Sequence, residues 1–160
     1  MSRQRSERLQ FLLDTVEKEK RHLLLTTSRL FASEIDASWV SSLESHPDVA
    51  ERLDAFVARF NRMQDTIGDK LIPELMRNLL ETPGAALDNL NRMEKLGLVR
   101  SVDDWVEARN LRNKLVHEYM HAPAEFAAAL NRAKELVPLL VETYDALSRY
   151  SQTHLAESGR

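Results

Sequence analysis

Apolar residues recur along this chain at the three-and-four spacing of helices for most of its length. Leu9, Leu12, Leu13, Val16, Leu23, Leu24 and Leu30 predict a long first helix over residues 5–31. The run Glu17-Lys18-Glu19-Lys20-Arg21 between them reads as its solvated face, with His22 among those charges. The spacing breaks between Ser33 and Pro47, where Trp39, Val40 and Leu43 anchor a short helix and His46-Pro47-Asp48 forms a turn that starts the next one. Residues 48–81 hold the strongest pattern. Val49, Leu53, Phe56, Phe60, Met63 and Ile67 follow steps of 4, 3, 4, 3 and 4, a packing seam that Leu71, Leu75, Met76 and Leu79 continue. Pro73 is expected to bend this helix. A second flank carries Asn61, Asp65, Gly68 and Ile72, and Gly68 invites close backbone approach.

Thr82-Pro83 predicts the next helix start, with Thr82 as cap and Leu87, Leu90, Met93 and Leu96 following, until Gly97 ends it. Ser101-Val102-Asp103-Asp104 matches a capping box, so a further helix begins near residue 102. Pro123 opens the last helix, with Phe126, Leu130, Ala133, Val137, Leu140, Tyr144 and Leu147 facing inward and Pro138 marking a modest bend or bulge. The expectation is an all-α fold and one domain over residues 1–160, its core at about 5–152 and a frayed tail at 153–160.

Composition narrows the classes of function. The 160 residues include no cysteine, which removes disulfides and thiolate metal sites, and only 4 Gly and 5 Pro, which suits helices. No apolar run is long enough for a membrane span, and the polar start shows no signal peptide; a cytoplasmic protein is expected. Twenty-two Lys+Arg against 25 Asp+Glu give a net charge of −3. A generic electrostatic binder of nucleic acid would be basic, so any RNA site here is a local cleft, and no DNA partner is expected.

The chemistry concentrates between Arg109 and Tyr119. Arg112, Asn113 and His117 form an R-N-x-x-x-H pattern, followed by Glu118 and Tyr119. At about 100° per residue, Asn113 and His117 lie one turn apart and can serve one site, whereas Arg112 and His117 diverge by about 140°. Three arrangements reconcile them: the Arg side chain wraps round, the helix frays near His121-Ala122-Pro123, or a second helix or subunit shares the site. Trp105, Ala108, Leu111, Leu115, Val116 and Tyr119 form an apolar stripe that includes Arg112. A guanidinium aimed at packed surface needs a carboxylate. Asp65 is the first candidate partner and Asp69 the second.

A neutral His can take a proton from a 2′-hydroxyl or return one to a leaving oxygen, and an Arg can stabilise charge building on phosphorane oxygens. Phosphodiester cleavage that uses RNA's own 2′-hydroxyl needs no metal and no cofactor. His117 and His121 are four residues apart, but no third ligand is evident, so no metal site is expected. No glycine-rich phosphate loop, Ser-His-Asp arrangement or nucleotide-binding βαβ unit is present. The plainer reading stands beside this one: Arg and His on an amphipathic helix are usually surface or capping residues, and their spacing is common by chance.

At Arg112-Asn113-Lys114-Leu115-Val116-His117-Glu118-Tyr119 the sequence resembles the HEPN superfamily, most closely its HepT-like branch, which carries R-N-x-x-x-H-x-Y late in an all-α bundle. The surrounding order is similar too: a long second helix with Arg62-Met63-Gln64-Asp65, a short helix ending Glu94-Lys95-Leu96-Gly97-Leu98, then the motif helix. The likeness covers roughly residues 5–150. It implies an antiparallel up-and-down bundle of four to five main helices that forms a homodimer through the motif-bearing helices, with both motifs meeting at the interface. It further implies a metal-independent endoribonuclease toxin of a toxin–antitoxin pair, with a minimal nucleotidyltransferase as the antitoxin partner. Carried over by position, Arg112 and His117 are catalytic, Asn113 is supporting, and Tyr119 is a site of adenylylation. Other members of the superfamily do not cut RNA and act as nucleotide- or protein-binding partners of nucleotidyltransferases. A third reading is a purely structural helical interaction domain. An unpaired Arg112 opening on a basic cleft favours cleavage; an Arg112 sealed by Asp65 favours structure.

Overall fold

The computed structural model describes residues 3–117 and 121–157, with His117 in its backbone alone. The described chain is mostly helical: α1 (Glu7–Leu30), α2 (Ala37–Ser41), α3 (Pro47–Asp65), α4 (Ile72–Asn78), α5 (Ala86–Lys95), α6 (Val102–His117) and α7 (Pro123–His154). Two two-residue strands, β1 (Arg3–Gln4) and β2 (Leu155–Ala156), complete it. The all-α expectation holds.

The seam along α3 is the spine of the core. Leu53, Phe56, Phe60 and Met63 are buried with Leu9, Leu12, Leu13, Val16 and Leu23 of α1 and with Phe126, Leu130, Ala133, Val137 and Leu140 of α7. Phe56 meets Phe31 edge-on at 5.3 Å and stacks on Phe60 at 5.8 Å between centroids. The Tyr144 hydroxyl donates to the Leu13 carbonyl at 3.0 Å, which joins α7 to α1. Val40 and Leu43 are buried beneath the short α2 and the tight turn Ser42–Ser45, as their spacing predicts.

Pro73 is accommodated upstream of itself. Residues Thr66–Leu71 form a π turn between α3 and α4. A proline ring in a regular α-helix strikes the carbonyl four residues back, here that of Asp69. The wider turn opens the backbone around Asp69, and the helix continues into α4 without a gap. At Pro138, by contrast, α7 runs on as a continuous helix.

Two expectations are corrected. Thr82 does not cap a helix: α5 begins at Ala86, and the buried Asn89 holds the connection through two bonds to the Gly84 backbone, 2.8 Å from its N–H and 3.2 Å to its carbonyl. Leu87, in the first turn of α5, lies 53% exposed. The tail is held as far as Glu157, the last described residue, because Leu155 is buried and β2 pairs in parallel with β1, Arg3 opposite Leu155. Arg5, also buried, donates its backbone N–H to Ala156 at 2.8 Å and reaches Glu157 at 3.4 Å.

Two helix ends solve one problem with different residues. After α5, Gly97 takes φ +77°, and the Leu98 and Gly97 N–H groups bond back to Met93 and Glu94. After α4, Leu80 takes φ +61° in the same role, with Glu81 and Leu80 bonded to Met76 and Arg77. A left-handed conformation costs a residue bearing Cβ about 1 kcal/mol or more. The Leu80 side chain is 74% exposed and recovers little by burial. Leu80→Gly is therefore expected to stabilise the fold by about 0.5–1 kcal/mol, measured as a raised denaturant midpoint; a lowered midpoint would show that the Leu80 side chain packs in a way its exposure conceals.

Candidate functional site

The motif helix α6 is fixed by its sequence at the start. The Ser101 hydroxyl accepts the Asp104 N–H at 3.1 Å, and a carboxylate oxygen of Glu94 takes the Val102 N–H at 2.7 Å. Trp105, Ala108, Leu111 and Leu115 then bury one face. Trp105 is fully buried beside Gly68, where an added Cβ would stand 3.7 Å from the indole Nε1, an ordinary contact. The close approach at Gly68 is real, but it leaves room for a methyl group.

Arg132 of α7 clamps the outer side of α6. Its Nε and Nη2 each meet a Glu107 carboxylate oxygen at 2.7 Å, and Nη1 meets Glu135 at 3.0 Å. The bond from Arg132 holds the Glu107 carboxyl below its ordinary range, and the carboxylates in turn push the Arg132 guanidinium further up. Sequence reasoning passed over this clamp.

The inner side of α6 faces α3 and the π turn through a pair of ionic contacts. The Arg112 guanidinium donates to the Asp65 carboxylate at 2.6 Å, and Arg109 lies 3.7 Å from Asp69. Partners ascend on one helix as they descend on the other, so α3 and α6 run antiparallel where they touch. Arg112 therefore takes the first-named partner, and Asp69 serves Arg109 instead. The Arg112 and Asp65 side chains are 38% and 40% exposed, so the pair lies at the lip of the helix contact. The stripe expected to carry Arg112 into packed surface is narrower than its spacing suggests: Val116 is 54% exposed as well. A pair this open contributes about 0–1 kcal/mol to stability, since water screens both charges.

Behind Asp65, the Thr66 hydroxyl donates to Glu19 of α1 at 3.0 Å. Burial pushes the Glu19 carboxyl above its ordinary value, offset by the Thr66 hydroxyl and by Arg62 and Lys70. Asn113 is exposed, one turn before His117. His117 is the last described residue of α6; its side chain and the whole of Tyr119 lie outside the described residues, and so does any meeting of Arg112 with the imidazole.

One turn beyond Arg112, a groove of about 310 Å³ opens between α3, the last turn of α6 and the start of α7. Leu53, Val57, Leu115 and Phe126 line it with Asp54 and Asn61. The Asn61 Oδ1 atom itself is sealed from solvent and has no hydrogen-bond partner among the described residues. Sequence reasoning named Asn61 as part of the flank but not the hollow beside it. Among the described residues no helix is long and apolar enough to cross a membrane, and no group of three or more His, Asp or Glu residues is arranged to hold a metal ion.

In comparisons with known proteins, no family model, curated protein or solved structure matches this chain.

Proposed function

We propose that this chain is a metal-independent endoribonuclease of the toxin–antitoxin kind, with Arg112 and His117 as its catalytic pair in a site completed across a homodimer. The observation that carries this reading is the run from Arg112 to Tyr119, which keeps every fixed position of R-N-x-x-x-H-x-Y, with Arg112, Asn113 and His117 on a helix late in an all-α chain. The partial exposure of Arg112 supports it, because a guanidinium at the lip of a helix contact can reach a phosphate without unfolding its surroundings.

The chemistry follows from the groups. A neutral imidazole takes the proton of a 2′-hydroxyl, whose oxygen attacks the adjacent phosphorus. A protonated imidazole gives its proton to the departing 5′-oxygen as the P–O5′ bond breaks. The products are a 2′,3′-cyclic phosphate and a 5′-hydroxyl. Two copies of His117 in a two-fold site supply both protonation states, and Arg112 neutralises the non-bridging oxygens while Asn113 orients them. A bundle of antiparallel up-and-down helices dimerising through α6 suits that arrangement, and so do a minimal nucleotidyltransferase as antitoxin, Tyr119 as its adenylylation site and a cytoplasmic setting.

A second reading draws on the 2.6 Å contact itself. If Asp65 holds Arg112 permanently, the guanidinium fastens α6 to α3, and the chain is a non-catalytic nucleotide- or protein-binding partner of a nucleotidyltransferase. Expression of the chain alone separates the two. The parent is expected to arrest growth and leave new 2′,3′-cyclic phosphate ends in total RNA, and the purified protein to make them in the presence of a chelator. His117→Ala is expected to keep its helical circular dichroism and make no such ends. Identical RNA ends from both proteins would overturn the nuclease reading.

A further inference from the structure

We infer that Glu19 of α1 is a positioning residue for Arg112, acting through Thr66 and the Asp65 carboxylate beside it. The role of Arg112 here is that of the proposed nuclease; the link from Glu19 rests on geometry. Glu19 falls in the run Glu17-Lys18-Glu19-Lys20-Arg21, which reads as a solvated face, yet its carboxyl turns in to α3. Its Oε2 meets the Thr66 hydroxyl at 3.0 Å, and its Oε1 is sealed from solvent with no hydrogen-bond partner among the described residues. Arg62, Lys70 and Asp65 are the charges that face it. On the other sides of α1, Lys20 takes Asp145 of α7 at 3.1 Å and Ser6 takes Glu74 of α4 at 3.1 Å. The helical ladder changes at Thr66, where the π turn begins and the N–H is shared between the Arg62 and Met63 carbonyls. A shared donor holds the backbone less tightly than a regular helical bond. The side-chain tie to α1 therefore fixes the peptide from which Asp65 reaches Arg112 at 2.6 Å.

The tie is made in two ways that differ by one proton. The Thr66 hydroxyl has one hydrogen and stands 3.0 Å from two acceptors, Glu19 Oε2 and the Arg62 carbonyl. With Glu19 ionised, that hydrogen serves one of them, and the sealed Oε1 keeps its share of the charge without a donor. With Glu19 protonated, the carboxyl donates to Thr66 and Thr66 donates to Arg62, so both contacts are hydrogen bonds. Burial holds the carboxyl above its ordinary range, against the pull of the Thr66 hydroxyl, Arg62 and Lys70 and with a push from Asp65. The proton thus comes off only above the pH at which an open glutamate loses it. Its loss rearranges the bonding of Thr66 and places a second negative charge behind Asp65. The guanidinium that Asp65 holds registers both.

Two measurements on the full chain decide the matter, made on the parent and on Glu19→Gln, Glu19→Ala and Thr66→Val. Glutamine has the shape of the protonated carboxyl and can donate to Thr66, but it does not titrate. The first measurement follows the Arg112 Nε–H signal with pH by nuclear magnetic resonance. In the parent the signal is expected to carry an inflection that coincides with titration of the Glu19 carboxyl carbon, and in Glu19→Gln that inflection is expected to be gone. The second is steady-state cleavage of an oligoribonucleotide. With KM unchanged, kcat is expected to stay within about threefold of the parent in Glu19→Gln and to fall about tenfold in Glu19→Ala and Thr66→Val. An Arg112 signal with the same pH course in the parent and in Glu19→Gln would overturn the positioning role, and so would full kcat in Glu19→Ala. A parent that cuts RNA while its Arg112 signal ignores Glu19 would leave the nuclease reading intact and remove the link alone. A parent whose Arg112 signal follows Glu19 but that cuts nothing would keep the link and remove the nuclease.

Discussion

Arg112→Ala is expected to reduce RNA cleavage by about two to three powers of ten, while shifting the melting temperature by no more than about 4 °C. The first figure is the usual cost of removing one charge-stabilising donor from a transition state. The second follows from the openness of the Arg112–Asp65 pair, since ion pairs this exposed contribute about 0–1 kcal/mol. Asp65→Asn gives the complementary result. It keeps the guanidinium but loosens its anchor, so cleavage should fall less than in Arg112→Ala, and Arg112→Lys, which keeps the charge but loses the planar guanidinium, should restore little. Steady-state cleavage of a labelled oligoribonucleotide, with a thermal melt of each variant, reads both quantities. Under the non-catalytic reading the order reverses: Arg112→Ala would lower stability or partner binding and leave nothing catalytic to lose. A large melting shift without any loss of cleavage would therefore retire Arg112 from the catalytic pair.

Trp105→Ala should be the most damaging substitution to the fold among the residues that position the site. The side chain is fully buried between α6 and the π turn. Truncating a buried tryptophan costs about 3–5 kcal/mol, which for a chain of this size lowers the melting temperature by roughly 6–20 °C. The loss reaches function because the same indole seats the helix that carries Arg112. Trp105→Phe is the informative companion. Trp105 Nε1 is buried without a hydrogen-bond partner among the described residues, so phenylalanine gives up volume but also removes an unsatisfied N–H, and its cost should be well under that of alanine. Scanning calorimetry on the two variants checks the ranking. Equal losses would mean that the indole nitrogen has a partner, such as a buried water, that the phenyl ring forfeits.

The sequence was most readable where one local rule acted alone. The alternating steps along α3 identified its buried face residue by residue, Ser101 located the start of α6, and Gly97 the end of α5. The Arg112–Asp65 contact was also legible, because an Arg beside an apolar stripe needs a carboxylate and the flank of α3 offered one. Failures arose where two signals competed or where the partner was remote. Thr82-Pro83 has the chemistry of a cap, yet Asn89 satisfies the connection from inside the next helix and moves the start to Ala86. The tail after Thr153 is mostly polar, and as far as Glu157 it is held by the burial of Leu155 and by pairing with a segment about 150 residues earlier. Arg132 and Glu107 each look like solvated charges, and nothing local ties them together across 25 positions. The groove was invisible for the same reason: it exists only once α3, α6 and α7 are set side by side.

The wide turn before α4 changes how residues are counted along the chain. Met63, Ile67, Leu71 and Leu75 are all essentially inaccessible, although they are spaced by four residues three times in succession. On an unbroken α-helix each such step drifts about 40° around the axis, so the last of them would have left the core face. The i→i+5 turn takes that drift back. The segment therefore behaves as a one-residue insertion that evolution can remove or keep without rotating either flank out of register. A second sequence aligned with this one, if it is one residue shorter here, should carry its gap between residues 66 and 71. Placed anywhere else, the gap would pair core positions with surface ones through the whole of α4.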